Sequence, residues 1–188
     1  MIVKKLLARF INDKVLQNAE HCYIATAAIS EDGFDLLMSR LSKSCHVDIV
    51  TGLDLPTDPT VLWKILKQYS DRVTLRIYTR NFFHPGVYVF DMPFRKRLAF
   101  IGSSNFTLSG FKDNEELSYQ LDTEKAVEEI KSWFTTYFED SQDLTEKMIQ
   151  QYELIFPSIK ERENISRQAK KRFMELMMEN ATNSLIIP

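Results

Sequence analysis

Short apolar runs alternate with amphipathic stretches over much of the chain, and this alternation limits the fold more than any other feature. The runs are rich in β-branched and aromatic residues and are bounded by polar or turn-forming residues, which is typical of buried strands. The first runs are separated by stretches long enough for helices, whereas the last ones follow one another closely. This order indicates an α/β fold with a mixed β-sheet flanked by helices. The predicted strands are residues 22–29, 47–50, 73–78, 87–90, 98–101 and 117–121.

Three amphipathic segments predict helices on the faces of this sheet. In each segment apolar residues recur at helical spacing, so that one side of the helix can be buried. The third segment follows Asp58 and Pro59, which are typical of a helix start. The predicted buried residues are Ile2, Leu6, Leu7, Phe10, Ile11, Val15 and Leu16 in the first segment, Phe34, Leu37, Met38 and Leu41 in the second, and Trp63, Leu66 and Tyr69 in the third.

The sequence after residue 123 is helical in pattern almost to its end. We expect a break at Pro157, because proline removes a backbone donor and clashes with the preceding turn of a helix. Beyond this proline the apolar residues recur only irregularly. We therefore predict one domain over residues 1–140 and a helical extension over residues 141–188, which packs on the domain or on another chain.

One stretch, residues 84–116, combines a histidine, a short polar turn and a late acid. The sequence predicts His84 on one strand, the turn after a second strand and Glu116 on a third. Imidazole, with an ordinary pKa of about 6.5, suits nucleophilic or acid–base chemistry near neutrality. Glycine lets the backbone approach an anion, and short polar side chains tolerate a tight turn and offer donors. The turn residues expected to bind phosphate are Gly102, Ser103 and Asn105.

This arrangement resembles the signature of the phospholipase D superfamily, in which a histidine, a lysine and an aspartate precede a Gly-Ser-x-Asn turn and a glutamate. The matching positions are His84, Asp91, Gly102, Ser103, Asn105 and Glu116. The proline after the histidine and the sequence GSSNFT are most similar to the single-motif nuclease branch, which includes some type II restriction endonucleases. The resemblance covers residues 1–140 and implies a phospholipase D-like domain in which Asp91 has a structural role.

The resemblance also implies a mechanism that uses no metal and no cofactor. One imidazole attacks phosphorus to give a phosphohistidine, and a second imidazole protonates the leaving oxygen. A chain with one motif supplies one such imidazole, so a symmetric homodimer is expected, with His84 of one copy as nucleophile and His84 of the other as general acid. Ser103 and Asn105 would hold the phosphate oxygens. Glu116, or failing it Glu115, would orient the ring.

Gly86 stands where the family has its lysine. Loss of a charged donor to a transition state can cost about 10²-fold or more in rate. Lys96 on the hairpin between two predicted strands is a candidate phosphate-binding substitute, as are its neighbours Arg95 and Arg97, and Lys112 after the turn. If only the lysine is missing, Gly86→Lys is expected to create or raise activity.

Three functions fit these residues. The first is a metal-independent phosphodiesterase or endonuclease that acts on DNA and is related to restriction endonucleases. The second is a catalytically degenerate module that serves dimerisation or DNA docking. The third is a hydrolase of phospholipids or other phosphodiesters, which ranks below the others because the motif form is nuclease-like and no basic, membrane-facing helix stands out.

Composition narrows the partners and the location. The net charge of -2 argues against a general electrostatic binder of nucleic acid, so DNA contacts must come from local basic patches. The two cysteines, Cys22 and Cys45, lack the spacing of a metal site and are expected to be free thiols, which favours a cytoplasmic protein. No apolar run approaches the roughly 18 residues that a membrane span needs, so no membrane association is expected.

Overall fold

A computed structural model describes residues 1–6 and 15–184, with side chains as far as Met178. It contains an eight-stranded sheet and five α-helices within these residues. The strands are β1 (Ile2–Val3), β2 (His21–Thr26), β3 (His46–Thr51), β4 (Val73–Ile77), β5 (Gly86–Asp91), β6 (Arg97–Gly102), β7 (Ser118–Leu121) and β8 (Gln142–Asp143). The helices are α1 (Val15–Asn18), α2 (Glu31–Arg40), α3 (Pro59–Gln68), α4 (Glu124–Glu139) and α5 (Glu146–Ser184).

The sheet is mixed, as the order of predicted elements indicates. Its strand order is β1-β7-β6-β5-β2-β3-β4-β8. The three strands joined by helices, β2, β3 and β4, are parallel, and every other neighbouring pair is antiparallel. The predicted α/β class with helices on the faces of a mixed sheet is confirmed.

Strand direction gives the sheet two different edges. At the edge where β2 and β3 end, Thr26 is paired with Gly86, Gly86 with Gly102, and Gly102 with Ser118. We call this the carboxyl edge. At the opposite edge, here the amino edge, Asp91 is paired with both His21 and Arg97. A residue that precedes β5 and a residue that follows β6 therefore lie at the same edge.

The sheet is buried on both faces, because alternate residues of each central strand point to opposite sides. One face packs under α2, α3 and the first part of α5, and includes Ile24, Ile49 and Phe100. The other face includes Val89 and Ala99 and packs against α4, which contributes Phe134. The core is therefore divided into two layers around the sheet.

Helix α3 begins as predicted but buries a different side. Asp58 caps it by accepting a hydrogen bond from the Thr60 amide at 3.0 Å, and Pro59 occupies the first turn. The buried residues are Val61, Leu62 and Ile65, whereas the predicted Trp63, Leu66 and Tyr69 are only partly buried. The predicted residues flank the contact with the core, since they lie to either side of the buried positions on the helix.

The first segment differs from the predicted helix. Ile2 and Val3 pair with Tyr119 and Ser118, so they form β1 at the open side of β7. Strand pairing satisfies the backbone groups that β7 would otherwise leave exposed. Val15 and Leu16 are buried in α1, as predicted. The predicted buried residues Leu7, Phe10 and Ile11 lie outside the described residues.

The first part of the segment after residue 141 packs on the sheet and the core. β8 adds to the sheet beside β4, and Ile149 and Tyr152 of α5 belong to the core. The Tyr152 hydroxyl donates to the Thr57 carbonyl at 3.0 Å and accepts from the Thr57 amide at 3.1 Å. Burial raises the pKa of Tyr152 to about 12, so the hydroxyl keeps its proton. The predicted break at Pro157 is wrong, because α5 continues through it.

The cysteines are free thiols and lie close together. Cys22 and Cys45 are buried, with their sulfur atoms 3.5 Å apart. Over the described part of the chain, no helix combines the length and apolar character needed to cross a membrane.

Candidate functional site

His84 lies at the carboxyl edge, in the segment before β5 and not on a strand as predicted. Its ring is exposed and stacks on Phe82, with ring centroids 5.7 Å apart and an interplanar angle of 12°. Phe82 is itself 62% exposed. Within the described residues the ring makes no hydrogen bond. Both ring nitrogens therefore face solvent or a ligand.

The turn after β6 is held to the start of β7 by three hydrogen bonds of one residue. The Ser103 amide donates to the Leu117 carbonyl at 3.1 Å, and the Ser103 hydroxyl accepts from the Leu117 amide at 3.1 Å. The same hydroxyl donates to the Glu116 carboxylate. The Ser103 amide is thus already used within the chain, so any phosphate at this turn must be held by other donors.

The Glu116 carboxylate binds the turn and not the histidine. One of its oxygens accepts from Ser103, and the other accepts from the Asn114 side chain at 3.1 Å. Glu115 points elsewhere, with its carboxylate 3.6 Å from the Lys5 ammonium group. Both acids precede β7, whereas the sequence predicts them on a strand. The expected role of Glu116 in orienting the imidazole is not seen; it fixes the serine instead.

Tyr88 supports the turn from inside the core. Its hydroxyl donates to the buried Ser104 carbonyl at 2.9 Å. Burial raises the pKa of Tyr88 well above its ordinary value, and the nearby Glu116 charge raises it further. The phenol therefore stays protonated and remains a donor to the turn.

Removal of this donor is expected to destabilise the protein. Tyr88→Phe leaves the Ser104 carbonyl buried without that partner, which costs about 1–3 kcal/mol. Urea unfolding measures the difference. Tyr119→Phe is the matched control, since Tyr119 is 53% exposed on β7 and its variant should match wild type. Equal stability of the Tyr88→Phe and wild-type proteins would show that the hydrogen bond does not secure the turn.

Asn105 faces a cavity of about 680 Å³ between the turn and α5. Its side-chain oxygen is buried and has no hydrogen-bond partner within the described residues. Helix α5 contributes Arg162 and Ser166 to the cavity wall. The Asn105 side-chain oxygen is therefore an unused hydrogen-bond acceptor at the carboxyl edge.

Asp54 and Arg162 are neighbours of this site that lie outside its sequence motif. The Asp54 carboxylate accepts from the Phe83 amide at 3.4 Å, one residue before His84. Arg162 donates to the Asp54 carbonyl at 2.7 Å, which ties α5 to the loop after β3. A polar residue just after a parallel strand signals the carboxyl edge, so Asp54 could be found from its position. Arg162 could not, because it is distant in sequence.

Lys96 lies at the amino edge, on the turn between β5 and β6. A six-residue strand spans about 17 Å, so Lys96 and His84 of one chain are separated by the length of β5. This corrects the expectation that Lys96 binds the same phosphate. Arg95 lies on the same turn as Lys96, and Arg97 forms ion pairs with Asp91 and Glu128. Lys112, in a turn of π-helix over Ser109–Asp113, lies on the loop at the carboxyl edge.

Asp91 also lies at the amino edge, at the far end of β5 from the histidine. Its carboxylate is 2.5 Å from the Lys131 ammonium group and 3.3 Å from the Arg97 guanidinium, and it accepts from the Tyr23 hydroxyl at 3.2 Å. Burial alone would lower the pKa of Lys131, but hydrogen bonds with Asp91 and Tyr23 raise it. Asp91 thus links α4 to the sheet.

Gly86 is enclosed by the turn. A Cβ atom at this position would lie 2.5 Å from the Gly102 carbonyl oxygen and 2.8 Å from the Ser104 carbonyl oxygen. Both distances are shorter than real Cβ contacts, and both atoms are backbone. The place where the family lysine would begin is therefore filled by the turn after β6.

No metal site accompanies these residues in the described part of the chain. There, no three His, Cys, Asp or Glu side chains gather closely enough to hold a metal ion.

Comparisons with known proteins identify the family and the fold of the chain. The profile of the family described as "Cardiolipin synthase, PLD-like domain" matches residues 13–138. No curated protein matches the chain in sequence.

Several solved structures share the fold. Nuc from Salmonella typhimurium, a phospholipase D family member, superposes with a TM-score of 0.60 at 15% identity, over 77% of this chain and 97% of that chain. NucT from Helicobacter pylori superposes with a TM-score of 0.55 at 18% identity, over 77% and 99%. TrmBL2, an archaeal chromatin protein with a novel mode of DNA binding, gives 0.53 at 16% identity, over 77% of this chain and 54% of that chain.

Proposed function

The chain belongs to the family described as cardiolipin synthase, PLD-like domain, and we therefore propose that it is a phosphodiesterase domain that cleaves DNA through His84 from two copies of the chain. The observation that carries the proposal is the pairing of Gly86 with Gly102, which brings the histidine and the polar turn to one edge of the sheet. The ring of His84 is exposed and makes no hydrogen bond among the described residues, so it is accessible to a substrate, as a nucleophile must be.

The reaction proceeds in two balanced steps. In the first, His84 of one copy attacks phosphorus, the P–N bond forms and the P–O bond to the leaving strand breaks, while His84 of the other copy gives its proton to the leaving oxygen. In the second, that histidine takes a proton from water, the oxygen of the water attacks phosphorus and the P–N bond breaks. The nucleophile is restored and the phosphate product leaves.

The turn residues hold the phosphate during both steps. Asn105 would donate from the N–H groups of its side-chain amide to the phosphate oxygens, because its unpartnered side-chain oxygen is an acceptor and cannot bind them. Ser103 donates its hydroxyl proton to Glu116, so it can donate to a phosphate oxygen only after that hydrogen bond breaks. Lys112 is the cation on the same loop that could offset charge on the phosphate.

DNA is the substrate that the surroundings favour. Phe82 presents an exposed ring beside His84, and such rings stack on unpaired bases. The structures of similar fold include a chromatin protein described as binding DNA. With a net charge of -2, the chain must hold DNA through local contacts such as these.

A second function is favoured by one observation. Backbone carbonyls fill the place of the family lysine at Gly86, so the site has lost both the charge and the room for it. The same fold without this donor would serve as a noncatalytic dimerisation or DNA-docking module.

Cleavage in the presence of EDTA separates these functions. Supercoiled plasmid and a single-stranded oligonucleotide are incubated with the chain in EDTA, and binding to the same oligonucleotide is followed by fluorescence anisotropy. If the chain is a phosphodiesterase of this kind, we expect DNA cleavage that EDTA does not reduce. Binding without cleavage over a range of pH and salt would identify the module. Absence of both would refute DNA as the partner.

A further inference from the structure

The turn between β5 and β6 holds two residues in a backbone conformation that their side chains disfavour. The Lys96 amide donates to the Pro93 carbonyl at 3.3 Å. The two residues between them, Phe94 and Arg95, have φ values of 60° and 59°. Positive φ at both central positions is typical of a type I′ turn, in which Asn and Gly are preferred, and it is strained for bulky residues. No other non-glycine residue among those described has a positive φ, so the strain is confined to this turn.

This strained turn presents an aromatic ring to solvent. Phe94 is 102% exposed, which is the highest value for any large apolar residue of the described chain. Strained backbone persists in folded proteins mainly where function requires it. An Asn-Gly pair would relieve the strain and remove the exposed ring. The presence of Phe94 and Arg95 at these positions therefore indicates a binding role for their side chains.

Two cations lie beside the ring without acidic partners. Arg95 and Lys96 are exposed, and neither forms an ion pair within the described residues. The next residue differs from them, because Arg97 is paired with Asp91 and Glu128. The turn thus offers one aromatic face and two positive charges that are not neutralised.

A cavity of about 840 Å³ adjoins the turn. Phe94, Arg95 and Lys96 line it together with Asp122 and Glu124, which lie just before and at the start of α4. Carboxylates repel phosphate but accept hydrogen bonds from the amino groups of bases. Phosphate groups of a ligand are therefore expected beside the two cations and away from the two acids.

We infer that this turn binds single-stranded nucleic acid, with Phe94 stacked on an unpaired base and with Arg95 and Lys96 on the adjacent phosphates. Proteins that hold single strands combine aromatic rings with positive charge in this way. One ring is enough to stack on one base, whereas a stable protein interface buries far more area. The site is separate from the reactive edge, because the length of β5, about 17 Å, lies between it and His84.

The inference rests on the proposed function only in that the bound strand would be the one cleaved at the carboxyl edge. Binding at the turn does not require His84. It can therefore be measured in the His84→Ala chain, so that cleavage does not consume the probe.

Fluorescence anisotropy with a labelled single-stranded oligonucleotide tests the role of the ring. In the His84→Ala chain, Phe94→Ala is expected to weaken binding at least about fivefold, as for the loss of one base stack. Phe94→Tyr keeps the aromatic face and should bind as tightly as the parent chain. Binding to a duplex of the same sequence should not change, because its bases are already stacked. A Phe94→Ala chain that binds the single strand as tightly as its parent would overturn the inference.

The double substitution F94N/R95G separates binding from folding. Relief of two strained residues should raise the Tm by at least about 4 °C, whereas affinity for the single strand should fall at least about fivefold. Loss of binding by a more stable protein cannot be due to misfolding. A more stable variant that binds as tightly as its parent would show that the strained turn has no part in binding.

The salt dependence of binding tests the phosphate contacts. Lys96→Gln is expected to lower the slope of log K against log salt concentration by about 0.7, as for one phosphate contact on a single strand. Lys147→Gln is the matched control, since Lys147 is exposed at the start of α5, beside β8, which is four places from β5 in the sheet. An unchanged slope for Lys96→Gln would contradict the contact.

A lipid surface is the competing ligand for an exposed ring beside cations. Sedimentation with phosphatidylglycerol vesicles tests it. Sedimentation that depends on Phe94, without binding of the oligonucleotide that depends on Phe94, would overturn the inference.

These outcomes are distinct from those of the cleavage assay. Binding that depends on Phe94, in a chain that cleaves no DNA, leaves the inference standing and refutes the catalytic proposal. Cleavage by a chain whose Phe94→Ala variant binds the single strand as tightly as its parent does the reverse.

Discussion

His84→Ala is expected to lower the rate of DNA cleavage by at least about 10⁴-fold, because one substitution removes two catalytic groups from a shared site. One imidazole is lost as the nucleophile and the other as the general acid. The ring is exposed and makes no hydrogen bond among the described residues, so its removal should change the free energy of unfolding by less than about 0.5 kcal/mol. Initial rates in EDTA and urea unfolding measure the two quantities.

His46→Ala is the matched control for this substitution. His46 is also exposed but begins β3 at the amino edge, so its variant should cleave at the wild-type rate. Mixing equal amounts of wild-type and His84→Ala chains should leave about one quarter of the activity, since only wild-type pairs keep both imidazoles. Activity of one half would mean that each copy acts alone. His84→Ala activity within tenfold of wild type would exclude the imidazole as nucleophile.

Gly86→Ala is expected to lower the free energy of unfolding by about 3 kcal/mol, at the upper end of the range for overpacked sites. The added Cβ would lie 2.5 Å and 2.8 Å from the carbonyl oxygens of Gly102 and Ser104. Gly86 is paired on both sides, with Thr26 and with Gly102, so the strand cannot shift to relieve the contact. The turn must move instead, and urea unfolding measures the cost.

Gly52→Ala is the matched control, at the same edge of the sheet. Its Cβ would meet side-chain atoms of Phe83 and Asp54 at 3.0 Å and 3.1 Å, which can adjust, so the loss should be smaller. The Cβ atom of lysine in Gly86→Lys would meet the same two carbonyl oxygens, and the rest of the longer side chain would need further room. The structure thus reverses the expectation from the sequence: this variant should be destabilised and gain no activity. A stable Gly86→Lys protein with raised cleavage would show that the turn opens freely.

The candidate site shows where the sequence signals were sufficient. The motif located His84 and the turn from Gly102 to Asn105, and the order of apolar runs indicated that the strands beside them are neighbours. Those residues meet because adjacent antiparallel strands place the start of one beside the end of the next. A local pattern is enough to predict such a meeting.

Other assignments failed because they depended on direction in space. Lys96 is nine residues from Asn105 in sequence, yet it lies at the other edge of the sheet, because β6 runs from one edge to the other between them. Glu116 was expected to orient a ring but binds Ser103, since both residues leave the sheet at the same point. Pro157 does not end α5, because packing of the first half of the helix outweighs the loss of one hydrogen bond.

Periodicity and motif spacing were thus enough to predict the mixed α/β sheet and the residues that gather at its carboxyl edge, because both depend on short stretches of chain. Three features depend on atoms from distant segments that meet only when the chain folds. They are the cation that can reach that edge, the room for a side chain at Gly86, and the side of α5 that stays exposed. Close packing fixes those contacts, and at Gly86 it places a backbone oxygen 2.5 Å from where a Cβ atom would lie, so a lysine fits only if the turn moves.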